Sequence, residues 1–321
     1  MPGPAPAVAA IRLAVREVLG GLPSGATVLV ACSGGADSLA LAAGVAFEAP
    51  RLGLPAAAVV VDHGLQGGSA AVATVAAAQC ESLGLSPVEV VRVEVAPVGT
   101  GPEAAARTAR YAALRATAAR LDAAVTLLGH TRDDQAEQVL LGLTRGSGTR
   151  SLSGMPTARD GFARPLLSIT RAKTENACRE QGLTWWVDPH NTDESYTRVR
   201  ARALLAEAER VLGPGVGAAL ARSAAQLRAD ADLLDALADQ ARADLGPAPV
   251  QVGQLRGIPD ALRRRVWLRL AADAGVGPLT ATHVGALDAL VTNWHGQGPV
   301  DLPGGVRAQR RAGRIWLPAH G

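Results

Sequence analysis

Thr27-Val28-Leu29-Val30-Ala31-Cys32-Ser33-Gly34-Gly35-Ala36-Asp37-Ser38 reads as a buried strand that turns through two glycines into a helix beginning near Asp37. The glycines let the backbone turn tightly and approach a ligand, the helix start presents unpaired N–H groups, and two hydroxyls add donors. Together these make a phosphate cradle. Asp37 would repel a bare phosphate, so its presence points to a divalent cation bridging carboxylate and phosphate, as in a magnesium-bound nucleoside triphosphate. A Walker loop requires Gly-Lys-[Ser/Thr]; the sole lysine, Lys173, follows Ala172, which excludes that class. Gly99-Thr100-Gly101-Pro102-Glu103-Ala104 fits a dinucleotide pattern only formally, because Pro102 removes a donor N–H, and it reads as a loop into a helix.

Outward from the cradle, short β-branched runs alternate with alanine-rich stretches of helical period. Residues 57–62, 88–95 and 124–128 read as further buried strands, and segments from near Ser69, Pro102 and Asp133 as helices. The fold class expected is α/β, a Rossmann-like parallel sheet with helices on both faces. Beyond Arg164 the strand signal fades, and a helical run from about Ser195 leads to Gly213-Pro214-Gly215. Taking that cluster as a boundary gives a catalytic domain at 1–212 and a smaller, mainly helical domain at 213–321. Turn pairs Gly304-Gly305 and Ala312-Gly313 predict a terminal β-hairpin or three-stranded meander over 299–318. In the second domain, inward-facing Leu262, Val266 and Leu270 would leave Arg263, Arg264 and Arg265 outside.

The chain has 321 residues, 48% hydrophobic and 19% charged, which suits two folded domains rather than disorder. Only nine are aromatic (five Trp, two Tyr, two Phe), so Ala, Val and Leu must fill the cores. An aromatic-rich base-stacking platform is thereby excluded, which argues against a single-strand binder of that type. The net charge is +3, carried almost wholly by arginine, whose planar fork permits a nucleic-acid partner without requiring one. Cys32, Cys80 and Cys178 form no CxxC pair, which argues against a disulfide framework, a zinc site or an iron–sulfur cluster and fits a reducing cytoplasm. No apolar stretch reaches the length of a membrane span, and no signal-peptide layout opens the chain.

A second informative stretch is Gly129-His130-Thr131-Arg132-Asp133-Asp134-Gln135-Ala136-Glu137. With a helix starting near Asp133, His130 stands at its entrance while Asp134 and Glu137 share a face with Leu141. An imidazole and two carboxylates then converge at the C-terminal end of a strand, where open parallel sheets bind ligands. They could hold a metal or an ammonium group; the same acids also suit an ordinary acidic helix start. Arg110 lies in a helical stretch where a phosphate contact and a surface salt bridge are equally open, and Cys32 reads as a buried strand residue.

Ser33 to Ser38 resembles the pyrophosphate-binding loop of the N-type ATP pyrophosphatases. Four more strings resemble one family among them, the tRNA(Ile)-lysidine synthetases: Val61 to Leu65, Glu103 through Arg107 to Arg110-Tyr111, Gly129 to Glu137 with Arg145 to Gly148, and Asn191-Thr192-Asp193 with Tyr196, Arg198 and Arg202. The chain departs from that pattern at Gln66, His190, Val199 and Gln138. The resemblance implies ligation of L-lysine to the wobble cytidine of a minor isoleucine tRNA with a CAU anticodon, through an adenylated intermediate. It assigns Ser33, Gly34, Gly35, Ala36 and Ser38 to phosphate, Asp37 to magnesium, and His63 to the nucleotide. Arg110 and His130 would stabilise the first transition state, and Asp134 and Glu137 would hold lysine or a second magnesium ion. Arg198 and Arg202 would meet tRNA phosphates or tie the domains together, and Arg310 and Arg311 would grip the tRNA body. A homodimer is left open. Two rivals stand beside this reading: another adenylating enzyme of the superfamily, such as a tRNA thiolase or an amide synthetase, and a non-catalytic nucleotide sensor.

Overall fold

The computed structural model describes residues 3–64, 68–93, 102–145, 148–189 and 193–318. The chain divides into two compact units, Met1–Gln226 and Leu227–Gly321. In the first, strands β1 (Thr27–Cys32), β2 (Ala56–Asp62), β3 (Val88–Arg92), β4 (Ala123–Leu128), β5 (Ala158–Arg159) and β6 (Phe162–Ala163) form one sheet in the order β3-β2-β1-β4-β6-β5. All neighbours are parallel except the β5–β6 pair. That pair was not expected: two residues per strand give too short a run for alternation to show. The expected third strand stops at Arg92, and its last predicted residues, 94 and 95, lie outside the described residues, as do Leu65, Gln66, Gly99 to Gly101, Gly146, Ser147 and His190 to Thr192.

Helices α1 (Pro6–Leu19), α2 (Ala36–Glu48), α3 (Ser69–Ser82), α4 (Pro102–Arg120), α5 (Arg132–Thr144), α6 (Thr149–Leu152), α7 (Arg171–Glu180) and α8 (Thr197–Leu212) accompany the sheet. Both faces of β1 are covered, as a parallel sheet requires. Val28, Val30 and Cys32 join a core with Ile11, Val15, Leu39 and Cys178, whereas Leu29 joins one with Val59, Leu114 and Phe162. The chain builds β1, β2 and β3 outward in one direction, then returns to place β4 on the other side of β1. Strand order therefore reverses between β1 and β4, and the loops following these two strands emerge side by side at their carboxyl ends.

The long helix α9 (Val216–Asp244) contains the division between the units. The second unit continues with β7 (Val250–Gln251), α10 (Val252–Gly257), α11 (Asp260–Asp273), α12 (Ala281–Thr292), β8 (Val300–Asp301), β9 (Arg307–Arg311) and β10 (Arg314–Trp316). The predicted terminal meander is present, but β7 joins it to make four strands in the order β7-β10-β9-β8. Trp267, Leu255, Leu287 and Leu290 are fully buried in the core. The expected outward arginine run is corrected at one position. Arg263 is buried, donating to Asp288 through Nε at 2.7 Å and to Asp260 through a terminal nitrogen at 2.6 Å, while Trp267 Nε1 donates to the same Asp288 at 3.1 Å. A guanidinium tolerates that burial only because it is paired and hydrogen-bonded on several sides.

Candidate active site

Between β1 and α2 the backbone makes the predicted turn. Gly34 adopts φ +80°, and a Cβ there would stand 3.2 Å from the Ala76 methyl of α3, so only glycine fits. The first bond of α2 runs from the Leu39 N–H to the Gly35 carbonyl. The N–H groups of Ala36, Asp37 and Ser38 precede it and have no acceptor within the helix, leaving an anion cradle at its start. The Ser38 hydroxyl organises the loop from within: it accepts from the Ser33 N–H at 3.0 Å and donates to the Gly35 carbonyl at 2.9 Å. Trp186 adds an outer brace, its N–H donating to the Gly34 carbonyl at 2.9 Å.

The end of β4 is pressed against this cradle. A Cβ on Gly129 would lie 3.0 Å from both Cα and N of Ser38. Glycine is thus required where the second loop passes the first turn of α2. That approach brings His130 and the start of α5 to the rim of a cleft of about 670 Å³, lined by Ser33, Asp37, His63, Arg110, His130 and Asp134 among others. The sequence-predicted cluster is therefore assembled in one place, with His63 delivered by the end of β2 and Arg110 by α4.

Two electrostatic halves face this cleft. On one side, Arg110 makes no ion pair among the described residues, and its Nε is buried without a partner. Of the two alternatives open for it, the surface salt bridge is absent. Burial lowers the affinity of this guanidinium for its proton, and Arg107 and Arg198 reinforce the effect. His130 is held neutral: burial first, then the charges of Arg110, Arg164 and Arg198, lower its pKa to about 3 despite the neighbouring Asp134. His63 is lowered too, by burial and then by Arg110. The Nδ1 atoms of both histidines are buried without partners. A wall of buried cationic and N–H-bearing groups, in which Arg110 makes no ion pair among the described residues, is suited to receive negative charge.

On the other side stand Asp37 and Asp134, and a residue the sequence reading missed joins them to the fully buried Glu137. Arg171, opening α7, places its guanidinium 2.9 Å from Asp134, 3.4 Å from Asp37 and 3.7 Å from Glu137. Its own N–H donates to Asp133 at 2.9 Å, which anchors the helix that carries it. Burial alone would lower the Arg171 pKa, but Asp134, Asp37 and Glu137 overrule it and hold it above the usual value. Asp134 is pushed up by burial, yet Arg171 and the Thr131 N–H and hydroxyl keep it below the usual carboxylate range. For Asp37 the balance tips the other way. Burial raises it, and Thr174 and Arg171 only partly compensate. Glu137 accepts from Arg202 Nε at 2.9 Å, while its other oxygen is buried without a partner.

Arg202 therefore ties α8 to α5 inside the first unit. Arg198 lies on the same helix, one turn before it, and its charge acts on His130 and Arg110. In the second unit Arg310 is engaged inward, donating to the Leu290 carbonyl at 2.9 Å with its guanidinium 5.1 Å over the Trp294 ring, whereas Arg311 is exposed. Cys32, Cys80 and Cys178 are free and buried. In a chain whose basic residues are nearly all arginine, nothing in the string Arg171-Ala172-Lys173 marks Arg171 out; the only cue is its place immediately after a helix cap, Thr170.

Residues 11–209 match the PP-loop domain family model, and residues 251–316 match the TilS substrate binding domain. The tRNA(Ile)-lysidine synthase of Thermobifida fusca is 56% identical over 99% of this chain and the whole of that protein. The chain belongs to the tRNA(Ile)-lysidine synthase family. A second member, from Streptomyces coelicolor, is 51% identical over 98% of each chain. Among solved structures, the U34-tRNA thiolase NcsA of Methanococcus maripaludis, with its [4Fe-4S] cluster, superposes with a TM-score of 0.59 at 18% identity, covering 69% of this chain and 79% of that one. This likeness shows the fold alone. Among the described residues, no helix is long and apolar enough to cross a membrane.

Proposed function

We propose that this chain ligates L-lysine to the wobble cytidine of a minor isoleucine tRNA, using ATP and releasing pyrophosphate and AMP. The observation that carries the reading is the meeting, in one cleft, of the anion cradle at Ser33 to Ser38 with unpaired Arg110 and neutral His130 on one side and, on the other, Asp37 and Asp134 bridged by Arg171. Full-length kinship with proteins named tRNA(Ile)-lysidine synthase supports it.

In this reading the cytosine carbonyl oxygen attacks the α-phosphorus of ATP and pyrophosphate leaves. The loop amides and the helix start hold the departing diphosphate, and Arg110 meets the charge that develops on it. His130, neutral at physiological pH, presents one N–H without adding a charge that would trap the product. The amine of lysine then attacks the activated ring carbon and AMP leaves. Asp134 and Glu137 attract and orient the lysine ammonium group and receive the proton it must lose. Asp37 keeps carboxylate capacity that Arg171 and Thr174 fill only in part, and among the described residues no group of three metal-ligating side chains stands ready, so a divalent cation there would take most of its ligands from phosphate and water. Asp37 would hold magnesium, with Asp134 and Glu137 nearby, and the ion would neutralise phosphate charge. The proposed division of labour is catalysis by 1–212 and tRNA binding by 213–321, in the cytoplasm, where the buried thiols stay reduced.

The test is to supply ATP, lysine and an isoleucine tRNA with a CAU anticodon, omitting each in turn. Conversion that needs all three is expected; pyrophosphate release independent of the tRNA would overturn the reading. Asp37→Asn should abolish pyrophosphate release while the far-ultraviolet circular dichroism stays that of the parent.

A further inference from the structure

The four-stranded sheet of the second unit has two unlike faces. Alternation turns Val250, Ala308 and Ile315 into the core, all nearly inaccessible, and leaves Gln251, Arg307, Arg311, Arg314 and Trp316 exposed on the opposite side. The register sets Arg314 directly across from Arg311, and Trp316 across from Gln309. Like charges in facing cross-strand positions repel, so this pair costs stability unless an anion lies between the two guanidinium groups.

Five other arginines of the second unit are already neutralised. Arg263 is paired with Asp260 and Asp288, Arg265 with Asp235, Arg269 with Asp235 and Asp239, Arg242 with Asp273, and Arg307 with Asp301. Arg310 faces inward onto Leu290 and Trp294. Arg311 and Arg314 make no ion pair and no side-chain hydrogen bond among the described residues, and no acidic residue occurs from Leu302 to Gly321. Beside them the Trp316 indole is 46% exposed. An indole that size left in water next to two unpaired forks is a π-surface adjoining a phosphate-shaped charge.

We propose that this outer face is an RNA-contacting surface on which Arg311 and Arg314 grip one phosphate between them while Trp316 stacks on the unpaired base beside it. The inference rests on the tRNA reading above and gives it a surface and a mode of contact. The composition excludes a platform of several aromatics, but one indole flanked by two guanidinium groups suffices for a single splayed base, the form in which proteins recognise unpaired RNA. An acidic peptide would satisfy the arginines and leave the indole uncovered, which favours a ligand carrying both an anion and a flat ring.

The experiment uses the full chain and an unmodified isoleucine tRNA transcript with a CAU anticodon, with affinity measured by filter binding over about 50–200 mM salt. Replacing both arginines, R311Q with R314Q, is expected to weaken binding and to reduce the slope of log K against log salt by about 1, the signature of one lost phosphate contact. W316A is expected to weaken binding about tenfold with the salt slope unchanged, and W316F to retain most of the parent affinity. The KM for ATP should stay that of the parent in all three. Parent affinity in either the arginine variant or W316A overturns the surface while leaving the ligase reading standing; a parent chain that neither binds nor consumes the tRNA overturns both.

Discussion

Replacing Arg171 by Met keeps much of the aliphatic stem and removes the charge that joins Asp37, Asp134 and Glu137. Removing one partner of a buried ion pair typically costs about 3–5 kcal/mol, because the other charge is left uncompensated. Three features of this site reduce that figure. The Arg171 side chain is 25% exposed, Arg202 still neutralises Glu137, and Thr131 still donates twice to Asp134. About 2 kcal/mol remains, or a fall in Tm of roughly 4–8 °C for a unit of this size. The loss should depend on pH in a definite direction. Asp134 is held below its ordinary value, partly by Arg171, so it contributes stability above the unfolded carboxylate pKa that is lost as pH falls through the folded value. Asp37, already raised, rises further once Arg171 is gone, and its ionised form then costs more at neutral pH. Both effects make the substitution expensive near neutrality and cheap in acid. Thermal melts of parent and R171M, followed by circular dichroism at about pH 7.5 and about pH 3, below the ordinary aspartate value of about 3.9, measure this directly. A Tm difference that is absent at neutral pH, or equal at both, would refute the claim that Arg171 acts through its charge.

Three other outcomes are expected. Gly129→Ala puts a methyl 3.0 Å from the Ser38 backbone, so the first turn of α2 must move; a stability loss of about 1–3 kcal/mol with a raised KM for ATP is expected, and unchanged kinetics would contradict the packing. His130 should remain neutral through the physiological range, so its ring nitrogens, followed by NMR, should show no protonation between about pH 5 and 8, where an ordinary histidine titrates. Ala312 occupies φ +46° ahead of Gly313 at φ +72°, a left-handed turn that Asn tolerates better than Ala because its side chain hydrogen-bonds locally, so Ala312→Asn should raise the melting temperature by an amount equivalent to about 0.5–1 kcal/mol; a lower value would rule out strain there.

The parts of this protein legible in the sequence are those where a local rule has a single solution. A strand buried on both faces must be apolar throughout, a chain turning from strand into helix at φ +80° must use glycine, and a helix start tolerates acids, so β1, the cradle and α5 could all be placed from residues alone. The approach of Gly129 to Ser38 explains why the strings containing His130 and Asp37 belong to one site, but the sequence separates them by about ninety residues and offers no term for distance. Arg171 shows the limit more sharply. Its importance comes from three carboxylates delivered by two other elements, and no periodicity or spacing around position 171 encodes them. Arg263 was misplaced for the same reason, because helical phase assigns a side, whereas burial of a charge is decided by whether Asp288 on another helix is there to meet it. Arg310 and Arg311 complete the case. They are adjacent and chemically identical, yet strand alternation sends one inward to a carbonyl and a ring and leaves the other facing Arg314 in water. Only the register tells which of the two is free to meet a phosphate, and register is set by pairing with residues elsewhere in the chain.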